Sequence, residues 1–132
     1  MNDTAADRTD PRTLAATYFR AWADKDFTTL RTVLADDVSF RGPLATVDGV
    51  EDCLRGLQGM STIVTDIVVR HVFADESDVL TWFDLHTTVT EQRVATANWS
   101  HVADGRISRI RVTFDPRPLG WVEGLPTGAG PC

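Results

Sequence analysis

From Ile63 onward the hydrophobic period of the chain is that of strands, and that change limits the possible folds more than any short motif does. Before it, apolar residues recur mostly at helical spacing; after it, they alternate along runs rich in β-branched side chains. Asp10 followed by Pro11 supplies a capping carboxylate and a first-turn proline, and Leu14, Tyr18 and Trp22 then recur one turn apart, as in an amphipathic helix. Asp26 caps a second helix in which Phe27, Leu30 and Leu34 share a face, ending near Asp36 and Asp37. Val38 and Phe40 read as a short strand that Gly42 and Pro43 break. Asp48 and Glu51 form a capping-box-like start to a third helix carrying Val50, Cys53, Leu54 and Leu57, which Gly59 stops.

Strand-like runs then occupy Ile63 to Phe73, Val79 to Val89, Val94 to Val102 and Ile107 to Phe114, the last two joined by Asp104-Gly105, a two-residue hairpin signal. Helices first and sheet second is the order of an α+β fold whose helices cover one face of an antiparallel meander. With 132 residues the chain suits one domain. We expect residues 1 to 9 to form a flexible arm, residues 10 to 116 the domain, and the Pro- and Gly-rich residues 117 to 132 a tail that packs only in part. Leu119, Trp121, Val122 and Leu125 predict an extended strap over the sheet or a pocket mouth.

The formal net charge of −6 opposes binding to nucleic acid or anionic lipid. No apolar run is long enough to span a bilayer and no apolar signal core opens the sequence, so we expect a soluble cytoplasmic protein without membrane or nucleic-acid partners. Cys53 and Cys132 form no CxxC or Cys/His cluster, and the three histidines show no metal-ligand spacing. No metal and no cofactor are expected.

The segments TYFRAWADKDFTTLRTVLADDVSFRGP and GVEDCLRGL and the closing hairpin ANWSHVADGRISRIRVTFDP resemble the nuclear transport factor two-like superfamily, in its SnoaL-like and ketosteroid-isomerase-like branch. The resemblance covers about residues 12 to 116. It implies a cone in which a strongly bent mixed or antiparallel sheet wraps the N-terminal helices around a deep apolar pocket, and a homodimer formed through the outer face of the sheet. The isomerase tyrosine falls on Tyr18, the isomerase's general-base aspartate on Gly42, and its oxyanion-hole aspartic acid on or next to Ala97. The Arg-x-Asp pair of the related epoxide hydrolases falls on Trp82-Phe83-Asp84, and their last aspartate on Val112. The chemistry of both enzymes therefore lacks most of its carboxylates here.

Alternation along the third long strand leaves two assignments, with Leu80, Trp82, Asp84 and His86 on one face and Val79, Thr81, Phe83 and Leu85 on the other. The hydrolase likeness favours Asp84 inward. On that assignment Asp84 and His86 are about 7 Å apart along the strand and, with Tyr18, make an acid/base constellation. Trp22, Phe40, Trp82, Trp99, Ile110, Val112 and Phe114 would supply an apolar lining, and Val79, Phe83 and Leu85 an outer patch for a second copy. The expected function is a cofactorless enzyme of isomerase or cyclase type acting on a hydrophobic small molecule, with Asp84 as base and Tyr18 and His86 as hydrogen-bond donors. The alternative is a noncatalytic binding or dimerisation domain, since buried Asp and His on strands are also satisfied as purely structural groups.

Overall fold

The computed structural model describes residues 10 to 120. Helix α1 (Pro11–Ala23) starts as the sequence predicts, with the Asp10 carboxylate accepting from the Thr13 amide at 3.2 Å. Asp24 caps its other end, and Lys25 then turns the chain in the left-handed region at φ 58°. Helix α2 (Phe27–Val33) is shorter than its apolar spacing predicts. Leu34 already opens strand β1 (Leu34–Arg41), so the Asp36-Asp37 pair lies within a strand. A three-residue strand β2 (Thr46–Asp48), where the sequence suggests a turn, pairs back on β1 before helix α3 (Val50–Ser61).

Strands β3 (Val64–Asp75), β4 (Asp78–Thr87), β5 (Val94–Ala103) and β6 (Arg106–Thr113) form the meander. Asp104 and Gly105 both take positive φ, 54° and 78°, the geometry that a two-residue hairpin requires. All six strands make one sheet in the order β2-β1-β6-β5-β4-β3. It is mixed, because β1 runs parallel to β6 while every other pair is antiparallel. Register shifts interrupt β1/β6, β3/β4 and β5/β6. Each inserts a local kink, and together they bend the sheet around the helices.

The core fills the concave side. Leu14, Tyr18, Phe19 and Trp22 from α1, Leu30 from α2, and Cys53, Leu57 and Met60 from α3 pack onto Phe83, Leu85, Ile107 and Ile110. Among the described residues, no helix is long and apolar enough to cross a membrane. The Arg117–Leu119 turn follows β6, and Leu119 packs against the core. Trp121, Val122 and Leu125, the rest of the expected strap, and the arm 1 to 9 lie outside the described residues.

The convex side carries one well-defined polar cluster at its end near the β3–β4 turn. Asp78 pairs with the His101 ring at 2.8 Å and accepts from the Trp99 indole at 3.0 Å. The His101 hydrogen bond above all, with smaller help from Trp99 and Arg109, holds the Asp78 carboxyl below the usual carboxylate range despite partial burial. A carboxylate whose folded pKa is depressed stabilises the fold above its unfolded value and loses that contribution as pH falls through the folded one. Asp78→Asn should therefore lower stability above about pH 4, and the gap should close on further acidification, as urea midpoints across an acid pH series would show.

Candidate functional site

The concave side of the sheet encloses a cavity between α1, α3, the end of β1 and strands β4 to β6. Tyr18 and Trp22 enter from α1, Leu57 and Met60 from α3, and Gly42 to Ala45 from the turn after β1. Phe83, Leu85, Thr96, Asn98, Val112 and Phe114 complete the wall. The space is narrow, about 50 Å³, room for about three or four waters. Larger clefts open on the surface but are shallower. Trp22 is fixed by its indole N–H, which donates to the Leu57 carbonyl at 3.0 Å, so α1 and α3 are tied together beside the cavity. Gly42 keeps the turn close to its neighbours: a Cβ there would lie 3.2 Å from the Phe40 ring.

The described wall contains no carboxylate, histidine or lysine. Its polar groups are those of Tyr18, Thr96 and Asn98. The Thr96 hydroxyl donates to the Val94 carbonyl at 3.0 Å and is thereby occupied. Asn98 is buried, and its Oδ1 accepts from the Ser100 hydroxyl at 3.0 Å. That bond orients the amide and leaves its NH₂ as the donor end for the cavity.

The face assignment of β4 is the reverse of the one favoured from sequence. Val79, Thr81, Phe83 and Leu85 are the buried inner residues, whereas Leu80 and Trp82 are exposed on the convex side and Asp84 and His86 share that side. Asp84 does not face the cavity. It is 4% exposed because Arg70 and Arg93 cover it, Arg70 at 2.7 Å and Arg93 at 3.9 Å. Arg70 reaches it from the register shift in β3 between Val69 and His71. His86 lies opposite Asp66 of β3. Tyr18 is thus separated from Asp84 and His86 by the sheet, and the expected constellation of three is not assembled.

Of the expected lining, Trp22, Phe40, Val112 and Phe114 reach the cavity. Ile110 is fully buried in the core beside it rather than on its wall. Trp82 and Trp99 are corrections, since both stand on the convex face, Trp99 opposite Leu80 and bonded to Asp78. The outer patch correspondingly consists of Phe73, Leu80 and Trp82, and not of Val79, Phe83 and Leu85. Sequence reasoning missed Phe83, Leu85 and Asn98, and Asn98 had a signal: alternation that points Trp99 outward points Thr96, Asn98 and Ser100 inward. Among the described residues, no group of three or more His, Cys, Asp or Glu could hold a metal ion.

The family model for the SnoaL-like domain matches residues 15–110, most of the described fold. The chain belongs to the SnoaL-like domain family. Solved structures place this SnoaL-like domain in the nuclear transport factor two-like fold. A nuclear transport factor two-like protein of unknown function from Cytophaga hutchinsonii is 25% identical with a TM-score of 0.75, over 84% of this chain and 95% of that one. A steroid delta-isomerase from Pseudomonas aeruginosa is 22% identical with a TM-score of 0.71, over 83% of each chain. An epoxide hydrolase of M. tuberculosis is 22% identical with a TM-score of 0.68, over 81% of this chain and 84% of that one. The last two likenesses are of fold alone. No curated protein matches the SnoaL-like chain.

Proposed function

We propose that this SnoaL-like domain binds a compact hydrophobic small molecule in the concave cavity and recognises an oxygen acceptor on it through the Asn98 amide, with Tyr18 as the neighbouring polar group. The observation that carries this reading is the composition of the described wall, apolar side chains around a small set of neutral polar ones. Asp84 and His86, on the opposite side of the sheet, take no part. Met60 is the wall residue best able to adapt its side chain to a ligand's shape.

A second reading, an isomerase- or cyclase-type enzyme, is favoured by the position of Asn98. It is the inward-facing neighbour of Ala97, where the resemblance puts the oxyanion-hole acid, and an amide donor there can stabilise a developing oxyanion. Binding of cyclic ketones of increasing ring size, followed by calorimetry and by mass spectrometry for conversion, tests both. Asn98→Leu should weaken binding about tenfold by removing one buried hydrogen bond. Equal affinity of the variant and the parent would sink the recognition role, whereas conversion lost with binding kept would select the enzyme.

The convex face supports a homodimer. Phe73, Leu80 and Trp82 form an exposed apolar band with Trp99 beside it, bounded at one end by Arg70 and Arg93 and at the other by Asp75 and Asp78. A second copy placed two-fold and antiparallel would lay band on band and basic corner on acidic corner. Sedimentation should give the dimer mass at micromolar concentration, and a monomer there would contradict this arrangement.

A further inference from the structure

On the opposite side from that band, α1 does not fully cover β3, and a groove runs between them. Its floor is Ala15, Ala16 and Phe19 from the helix and Ile67, Val69 and Val72 from the strand, with Ala23 at one end. Its volume is about 350 Å³ and its lining is mostly apolar, with Thr81 also contributing. Val69 is 44% exposed although it points toward the helix side. The small alanines create the gap: a helix with larger residues at these positions would close against the strand. The groove is separate from the cavity, with Phe19 and Phe83 packed against each other at 4.9 Å between ring centroids in the core between them.

Two arginines, Arg12 and Arg20, also line the groove, and among the described residues neither makes an ion pair. They differ in their surroundings. Arg20 acts electrostatically on Asp26, so part of its charge is answered within the fold. Arg12 instead bends across the groove, its Nη1 reaching toward the Val72 carbonyl at 3.5 Å. It stands in the first turn of α1, where the helix dipole also favours an anion. From Arg12 to Ala23 the helix rises about 16 Å, and from Val72 back to Ile67 the strand covers about the same length.

We propose that this groove is a second binding site, distinct from the cavity, for a medium-chain amphipathic anion such as an alkyl carboxylate. Its head pairs with Arg12 and its chain lies over Ala15, Ala16 and Phe19 against Val72, Val69 and Ile67 toward Ala23. A carboxylate matches a guanidinium left without a carboxylate partner, and the alkyl chain covers apolar surface that the fold leaves open. The occupant is a small molecule, because a groove of about 350 Å³ between one helix and one strand has the size of a small-ligand site.

The test uses the full chain with decanoate as the probe and decanol as its neutral counterpart. Binding should perturb amide resonances along residues 12 to 23 and 67 to 72, with decanol binding more weakly. Arg12→Gln should weaken decanoate about tenfold, and Ala16→Trp, at an exposed helix position, should abolish binding with an unchanged circular dichroism spectrum. Arg20→Gln should change affinity by less than about threefold. Perturbations confined to residues 40 to 45 and 96 to 98 would place decanoate in the cavity and overturn the proposal. Retained affinity in Arg12→Gln and Ala16→Trp, or no binding to the parent protein at all, would overturn it as well.

Discussion

Phe83→Ala is expected to lower the unfolding free energy by about 3 to 5 kcal/mol, measured from urea or guanidinium midpoints. Phe83 is buried on the inner face of β4, touches Phe19 and forms part of the cavity wall, so truncation removes apolar burial and leaves a void continuous with an existing one. The adjacent residue makes the comparison informative. Trp82 points the other way, and on the dimer proposed for the convex face Trp82→Ala should cost stability only to the extent that subunits are associated, so its effect should vary with protein concentration. The Phe83→Ala loss should not vary in that way. If Trp82→Ala proved the more damaging of the two at high dilution, the face assignment of β4 would be wrong.

Arg70→Met should cost about 2 kcal/mol. Arg70 donates through Nε to Asp84 Oδ2 at 2.7 Å, its Nη2 lying 2.7 Å from the same oxygen, and without it the buried carboxylate keeps, among the described residues, only Arg93 at 3.9 Å. The figure stays below that of a fully enclosed pair because Arg70 itself is about half exposed. Adding Asp84→Leu to Arg70→Met should recover much of the loss, since removing both partners leaves no unanswered charge. A single-variant loss under about 0.5 kcal/mol, the scale of exposed surface pairs, would mean that Asp84 is solvated rather than covered. These variants bear on how the sheet is built, while ligand binding in the cavity should be unaffected by either.

Asp84 also shows how far the sequence could be read. The change of period at Ile63, the Asp10-Pro11 cap and the Asp104-Gly105 hairpin each have a local cause, and the structure contains each where that cause predicts it. The parallel pairing of β1 with β6 has no local cause, because it joins segments far apart along the chain, and the α2 boundary moved for the same reason: Leu34, on the helical stripe, is claimed by Ile107. The site was misread at β4 because both faces of that strand carry large apolar residues, so periodicity could not say which face is inner. Hydrophobicity ranked Trp82 and Trp99 above Thr96 and Asn98 as cavity residues; what decides is that Thr96, Asn98 and Ser100 satisfy one another and the backbone inside. The compensating arginines of Asp84 come from a strand irregularity and a turn, neither of which spacing rules register.

The parallel pairing of β1 with β6 has a consequence for the order of events in synthesis. Strand β1 and the helices before it emerge from the ribosome long before β6, yet on the edge away from β2 Leu34, Ser39 and Phe40 pair with Ile107, Arg109 and Ile110. The β1 side of the concave wall therefore waits, unsealed, for β6 to be made. Closing so distant a pair gives a high contact order, and we expect folding on the order of milliseconds to seconds rather than microseconds. Until then α1 can pack on the β3–β5 meander, Phe19 against Phe83, but β1 has no strand other than β2 to pair with, and a chain stalled before Arg106 should be held by chaperones as an open intermediate rather than released as a smaller domain.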